Sequence, residues 1–437
     1  MHSKLIISLT TGLLLSTAGA LTAQNGKTDK VLDKTITLSQ TTTLLTTLSA
    51  DNMEGRKIGT PGIKKAAAVI ARQFKLAGLK PAGGDSGYYQ NFTMVNSHIL
   101  SKSVEVNGKP FADSLSAIIS TEADIKANDQ SGYEIIRPKD QQEIIKVLSA
   151  RSAPKTNALI VLPTKFERLL KIAPRLQNNQ FQSRYSTILL CTDEPVNHFQ
   201  INATNQLSHT PMANIVGILP GKTKPDELVI FSGHYDHLGI DPGNKTDSIY
   251  NGANDDASGT TAVMQLARYY AKSANNARTL VFAAFTAEEE GGFGSKYFSQ
   301  QFDPATVVAM FNIEMIGTQS KWGENSAYIT GFEKTDMGEI LQKNLEGTGF
   351  TFHPDPYTDQ HLFYRSDNAT LARQGVPAHT ISTSKMDAEP NYHKVSDEIG
   401  TLDLTNMNRI IRCIALSARS IVNGTDTPTR VNTAELQ

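Results

Sequence analysis

From Met212 onward, short apolar runs alternate with longer segments of helical period. NIVGILPG, LVIFSG, TLVFAAF, VVAMFNIE, AYITG and PAHTIS are rich in β-branched and aromatic residues and apolar at consecutive positions, as strands buried on both faces should be. Between them, Gly259–Lys272 puts Val263, Leu266, Ala267 and Tyr270 on one helical face, Met337–Leu345 predicts a second helix, and Leu404–Val422 a third with Met407, Ile410, Ile411 and Ile414 in its apolar stripe. Strands alternating with helices predict an α/β fold: a mixed, mostly parallel sheet with helices on both faces. Upstream, Thr43–Leu48 predicts a short helix. Gly62–Gly78 predicts a longer one, with Ala66, Val69, Ile70 and Phe74 in register, Pro61 at its start and Gly78 as its stop.

The pattern changes between about Ser97 and Ser208. SVEVNGKPF predicts a hairpin turning at Asn-Gly, NALIVLP and STILLC predict strands, and FERLLKIAPRL between them is helical. The stretch holds few groups suited to catalysis and reads as an inserted, smaller α+β or β-rich domain. The expected organisation is therefore 24–96 and 211–424 for the main domain, 97–210 for the insertion, and 425–437 for a polar tail expected to be disordered. Residues 1–23 combine Lys4, an apolar run from Leu5 to about Leu21 and small residues beyond it. This is a secretory signal pattern, which predicts a periplasmic or secreted protein without stable membrane insertion after cleavage.

Charge and cysteine content narrow the partners. A formal net charge of -1 gives no reason to expect nucleic acid or an anionic membrane surface. Export permits a disulfide between Cys191 and Cys413. Each lies in an apolar strand or helix, where a buried free thiol is at least as good a reading, and two isolated cysteines make no thiolate metal site.

The chemistry sits where apolar strands end. LVIF runs into His234 and Asp236, and a loop then brings Asp255 and Asp256. TLVFAAF runs into Glu288 and Glu289, Glu314 closes an apolar strand, and His393 precedes the last helix. Singly, most have an ordinary explanation: a chance His-x-Asp, a turn and helix cap at Asp255–Asp256, a solvated run at Glu288–Glu290. Glu314 is harder to dismiss, because a buried carboxylate must find a partner. In open α/β sheets the site lies beyond the carboxyl ends of the strands, where all of these fall. Two His with three carboxylates suit zinc. A shared carboxylate could bridge two ions ~3.5–4 Å apart, and a neighbouring Glu pair supplies one ligand and one base. GGFGSK is not a dinucleotide loop, since its spacing and context are wrong.

Together SGHYDH, GANDDASG, AEEEGGFGS, NIEMIG and YHKVSD resemble the M28 family of co-catalytic zinc peptidases, as do ADNMEGRKIGTPG, YYQNF, MANIVGILPG and YRSDNATLARQGVPA. The resemblance spans Thr43–Asn96 and Pro211–Val422; the segment between lies where many relatives carry a protease-associated domain. It implies two Zn2+ ions: Asp255 bridging both, His234 and Glu314 completing one, Glu289 and His393 the other. It also implies Glu288 as general base, a Tyr392 hydroxyl steadying the oxyanion, Asp236 orienting His234, Asp256 and Asp397 behind the ligands, and a cis Asp255–Asp256 peptide. Relatives mostly carry Asp where Glu314 stands, His where Asn368 stands, and Leu with a variable residue where Gly292–Phe293 stand. The implied activity is hydrolysis of peptide or protein substrates, aminopeptidases being the commoner members. Two other readings stay open: a glutaminyl cyclase-type acyltransferase on the same fold with one zinc, and a non-catalytic binding protein. Arg365, in YRSD, is either a contact for a substrate carboxylate or a structural ion-pair partner.

Overall fold

Twelve strands form the main sheet of the computed structural model, which describes residues 29–151 and 154–436. The expected signal segment, 1–23, lies outside the described residues. In spatial order the spine of the sheet is Thr351–Pro354, Ser326–Ile329, Ala378–Ser382, Val307–Ile313, Lys224–His234, Arg278–Phe285, Phe199–Leu219 and Tyr89–Val106. The four strands from Ala378–Ser382 to Arg278–Phe285 are parallel, and antiparallel pairs flank them on both sides. Each parallel strand contains an apolar run, because a strand covered on both faces buries side chains on both.

The alternation along Val229–Phe231 shows the two layers. Val229 and Phe231 pack into one core with the helices Leu38–Leu48, Pro61–Ala77, Gly259–Ser273 and Leu404–Ser417. Ile230 packs into the other, with Phe293–Ser299 and Asn368–Ala372. Phe231 stacks on Tyr270, Phe282 and Phe311 at centroid separations of 5.3, 5.5 and 4.9 Å. Pro61 opens its helix as its fixed φ allows, and Gly78 ends it at φ 81, a left-handed position that costs glycine nothing.

Tyr89–Val106 and Phe199–Leu219 pair with each other along almost their whole lengths, from Tyr89–Ile215 to Val106–Phe199, and so run out of the main sheet as a ribbon. Asn107 and Gly108, both at positive φ, make the expected turn. The outer part of the ribbon, with Asp124–Asn128, packs on a four-stranded sheet of Ser116–Ile119, Thr187–Cys191, Ala158–Leu162 and Glu134–Ile136. The other face of that sheet takes the helix Gln141–Ala150. The positions 97 and 210 fall inside these continuous strands. Cys191 lies in the core of this smaller sheet and Cys413 in the main core, and both are free.

The polar tail is held, where disorder was expected. Buried Arg278 donates to the Ile421 and Asp426 carbonyls, each at 2.6 Å, and to the Thr427 hydroxyl, and Val431 is buried. A guanidinium taken out of water needs acceptors, and main-chain carbonyls of the tail supply them. No helix among the described residues is long and apolar enough to cross a membrane.

Phe231→Ala should remove contacts to three aromatic rings at once and leave a cavity. The expected loss of stability is about 3–5 kcal/mol, read from the shift of the urea unfolding midpoint.

Candidate metal centre

The parallel strands deliver their polar groups at one edge. Lys224–His234 ends on His234, Arg278–Phe285 runs on to Glu288 and Glu289, and Val307–Ile313 is followed by Glu314. His234, Asp255 and Glu314 each offer a ligand atom, all within 4.8 Å of one another. His234 Nε2 is 3.2 Å from Asp255 Oδ1, whereas His393 Nε2 is 3.2 Å from Asp255 Oδ2 and 3.1 Å from Glu289 Oε2. Asp255 therefore turns one oxygen to each imidazole. His237, with Asp255 and Glu289, forms a second such set. Its contact is of another kind: Nδ1 makes a hydrogen bond of 2.7 Å with Glu289 Oε1. His234 Nε2, although so near Asp255, is buried without a hydrogen-bond partner among the described residues.

The loop that carries Asp255 is fixed through its main chain. Asp397 accepts the Asn254 and Asp255 amides at 2.9 and 3.0 Å. Arg56, fully buried, donates to the carbonyls of Leu48, Tyr235, Asn251, Gly252 and Asp255. The Asp255–Asp256 peptide is cis. Asp256 accepts the amides of His234, Gly259 and Met315 at 3.2, 2.9 and 3.1 Å, joining two strand ends to the start of the helix Gly259–Ser273. The Asp236 carboxylate accepts the amides of Glu288 and Glu289 at 3.1 and 3.3 Å. It stands 3.8 Å from His234 Nδ1, which faces the Asp236 backbone carbonyl at 3.2 Å. Asp236 thus steadies the Glu pair with its side chain and the imidazole with its main chain. Tyr392 stacks on His393 with centroids 3.9 Å apart.

Three of these side chains had no role in the sequence reading. His237 had a visible signal, as the second His of SGHYDH at the end of a buried strand. Arg56 had none beyond its Gly-rich loop, because its partners are carbonyls that any residue could provide. Ser366, whose hydroxyl donates to Glu314, is likewise set by the fold.

Electrostatics show what the cluster lacks. Burial pushes Asp236 and Glu314 up to about 7, Asp397 to about 6, and Glu288 and Asp256 well above the ordinary carboxylate range. Burial works against Asp255 too, but its contacts with His234 and His393 prevail and hold it low. Contacts with Asp255 and Glu289 push His393 up to about 10, and the surrounding carboxylates raise His234 against the effect of its burial. Carboxylates outnumber the cations that could neutralise them, and buried charge in that state calls for metal. Atoms that share a tetrahedral zinc at about 2.0–2.2 Å each lie roughly 3.3 Å apart, close to the His234–Asp255 and His393–Asp255 separations. The unpartnered His234 nitrogen and the mixed N/O donor set fit zinc. The cluster opens on a cleft of about 430 Å³, with Tyr392 and His393 on its rim.

Comparison with known proteins agrees. In architecture the chain resembles zinc aminopeptidases. An aminopeptidase from Aneurinibacillus sp. strain AM-1 superposes with a TM-score of 0.54 at 14% identity, covering 94% of this chain and 99% of that one. The zinc aminopeptidase BSAP of Bacillus subtilis gives 0.52 at 16% identity, covering 90% and 97%. In sequence, residues 214–418 match the profile described as Peptidase family M28. A probable zinc metalloprotease of Pyricularia oryzae is 38% identical over 111 residues, 25% of this chain and 22% of that protein. A probable leucine aminopeptidase of Trichophyton verrucosum is 27% identical over 206 residues, 44% of this chain and 53% of that one. The chain thus spans from about a fifth to about half the length of these curated relatives.

His234→Ala and His393→Ala are each expected to lower tightly held zinc, measured by atomic emission after dialysis; unchanged zinc content would remove that imidazole from the ligand set. Chelation should lower the melting temperature, since an ion bound only by the folded state adds about 2.7 kcal/mol at a hundredfold excess over its Kd. A melting temperature insensitive to chelator would contradict a resident ion.

Proposed function

We propose that this protein is an exported zinc peptidase that removes residues from the amino terminus of peptides. The observation that carries the proposal is the gathering of His234, Asp255, Glu289, Glu314 and His393 at one cleft, with Glu288 beside them. In this reading Asp255 would be shared by two zinc ions, with His234 and Glu314 holding one and Glu289 and His393 the other. His237 holds Glu289 Oε1 and leaves Oε2 to the ion. Residues 24–96 and 211–424 form the catalytic unit, residues 97–210 are an insertion on it, and the pattern of residues 1–23 supports export.

When bound, zinc supplies Lewis acidity toward the scissile carbonyl and the attacking water. Glu288 accepts the proton of that water and returns it to the departing amine. Its burial raises its proton affinity, as a general base requires. The Tyr392 hydroxyl donates a hydrogen bond to the developing oxyanion. Asp236, by holding the amides of Glu288 and Glu289, keeps base and ligand in fixed relation.

Glu288→Gln is the direct test, with release of free amino acid from short peptides as the assay. The variant is expected to keep its fold and its zinc while turnover falls about 10²–10⁴-fold. Near-wild-type turnover would take Glu288 out of the reaction.

A further inference from the structure

The cleft carries opposite charge along its length. Asp255, Glu288, Glu289 and Glu314 line the metal end, and Lys296, Arg365 and Arg373 line the remaining wall. The three cations come from separate places: Lys296 from the helix Phe293–Ser299, Arg365 from just after the turn Leu362–Tyr364, and Arg373 from the end of the helix Asn368–Ala372. All three are exposed.

Among the described residues, the partners of these cations are uncharged. Arg365 reaches the Gln360 amide oxygen at 3.4 Å. Lys296 donates to the Gly291 carbonyl at 2.7 Å and lies over the Phe293 ring. Arg373 lies over the Tyr364 ring. Among the described residues, Arg365 makes no ion pair of the kind its position in YRSD allowed. Burial first, and Arg373 after it, lowers the Lys296 pKa, against the buried Asp367 carboxylate, which raises it. Three like charges gathered in a concave wall, with the buried Asp367 carboxylate acting on Lys296 but none paired to Arg365 or Arg373 among the described residues, focus a positive potential into the cleft.

We propose that this wall binds a carboxylate of the substrate, so that the enzyme prefers short peptides with a free carboxylate close to the scissile bond. The proposal rests on the peptidase reading and adds the substrate class. A guanidinium grips a carboxylate through two parallel N–H donors, which fixes orientation as well as adding affinity. A zwitterionic peptide would then align itself, with its ammonium group toward the acidic end of the cleft and its carboxylate on Arg365, Arg373 and Lys296. Lys296, Thr370 and Arg373 also line a second hollow of about 520 Å³, whose far side is formed by Arg151, Phe181 and Tyr185 of the insertion. Lys296 and Arg373 thus stand where the cleft meets the insertion, which walls the space beyond them.

The carboxylate could be the carboxy terminus of a di- or tripeptide, or an Asp or Glu side chain, and substrates separate the two. The zinc-loaded enzyme would be assayed on Leu-Ala-Ala, its carboxy-terminal amide, Leu-Asp-Ala amide, and a leucine anilide that has no carboxylate. We expect kcat/KM at least about tenfold higher for a carboxylate-bearing peptide than for the neutral amide. A preference for the free acid identifies the terminus, and a preference for the Asp amide identifies the side chain. Arg365→Ala and Arg373→Ala should each lower that preferred rate about tenfold and leave the anilide rate unchanged. Equal rates on all three peptides, with the anilide still cleaved, would overturn the carboxylate site and leave the peptidase reading intact. If no substrate is cleaved, calorimetric binding of the free acid and of both amides to the Glu288→Gln protein decides the matter. Tighter binding of a carboxylate-bearing peptide supports the wall, and equal binding overturns it.

Discussion

Arg56 and Asp397 take hold of the same short loop, one by its carbonyls and the other by its amides. The guanidinium fills its donors with five main-chain oxygens, and the carboxylate takes the N–H groups of Asn254 and Asp255. Everything at the centre follows from that grip, because Asp255 can face His234 with one oxygen and His393 with the other only if its backbone cannot turn. Both anchors are buried, so their hydrogen bonds do not compete with water, and an unmade one would cost the full desolvation of its group.

Around this loop the fold accumulates negative charge that its own cations do not offset. Asp236, Asp256, Glu288 and Glu314 all sit at or beyond the ends of parallel strands, and burial raises the proton affinity of each. Removing carboxylates from water is costly unless hydrogen bonds or cations answer them. The structure answers some with main-chain amides, as at Asp236 and Asp256, and leaves others turned toward the cluster. That division separates the groups that build the site from those that fit an ion. His237 stands on both sides of it: Nδ1 is hydrogen-bonded to Glu289 at 2.7 Å, while Nε2 is buried without a partner among the described residues and the side chain lies in a set with Asp255 and Glu289.

Glu314 illustrates how the fold absorbs an unusual side chain. A Glu reaches one methylene farther than an Asp would from the same backbone position. The chain just past Val307–Ile313 is pinned by the Glu314 amide on the Ile381 carbonyl, and Ser366 holds the carboxylate, which still falls within the His234–Asp255 set. The smaller sheet is tied to the main one in a different way. Two long strands leave the main sheet as one hydrogen-bonded ribbon, and the outer part of that ribbon packs on the smaller sheet.

Local pattern alone determined the parallel strands, the helices Pro61–Ala77 and Gly259–Ser273, and the acidic and imidazole groups at the strand ends. A doubly covered strand is apolar along most of its length, and a carboxylate such as Glu314 at its end has no cheap explanation. What the sequence could not announce were contacts to main chain and between distant segments. Arg56 on the Asp255 loop, Arg278 on the tail, the side chain of Asp236 turning to the Glu pair, and the continuity of the ribbon through positions 97 and 210 were settled only by the tertiary structure. The reason is physical: hydrophobic period is written residue by residue, whereas a carbonyl or amide partner is the same for every amino acid and becomes specific only when the folded chain brings it within reach.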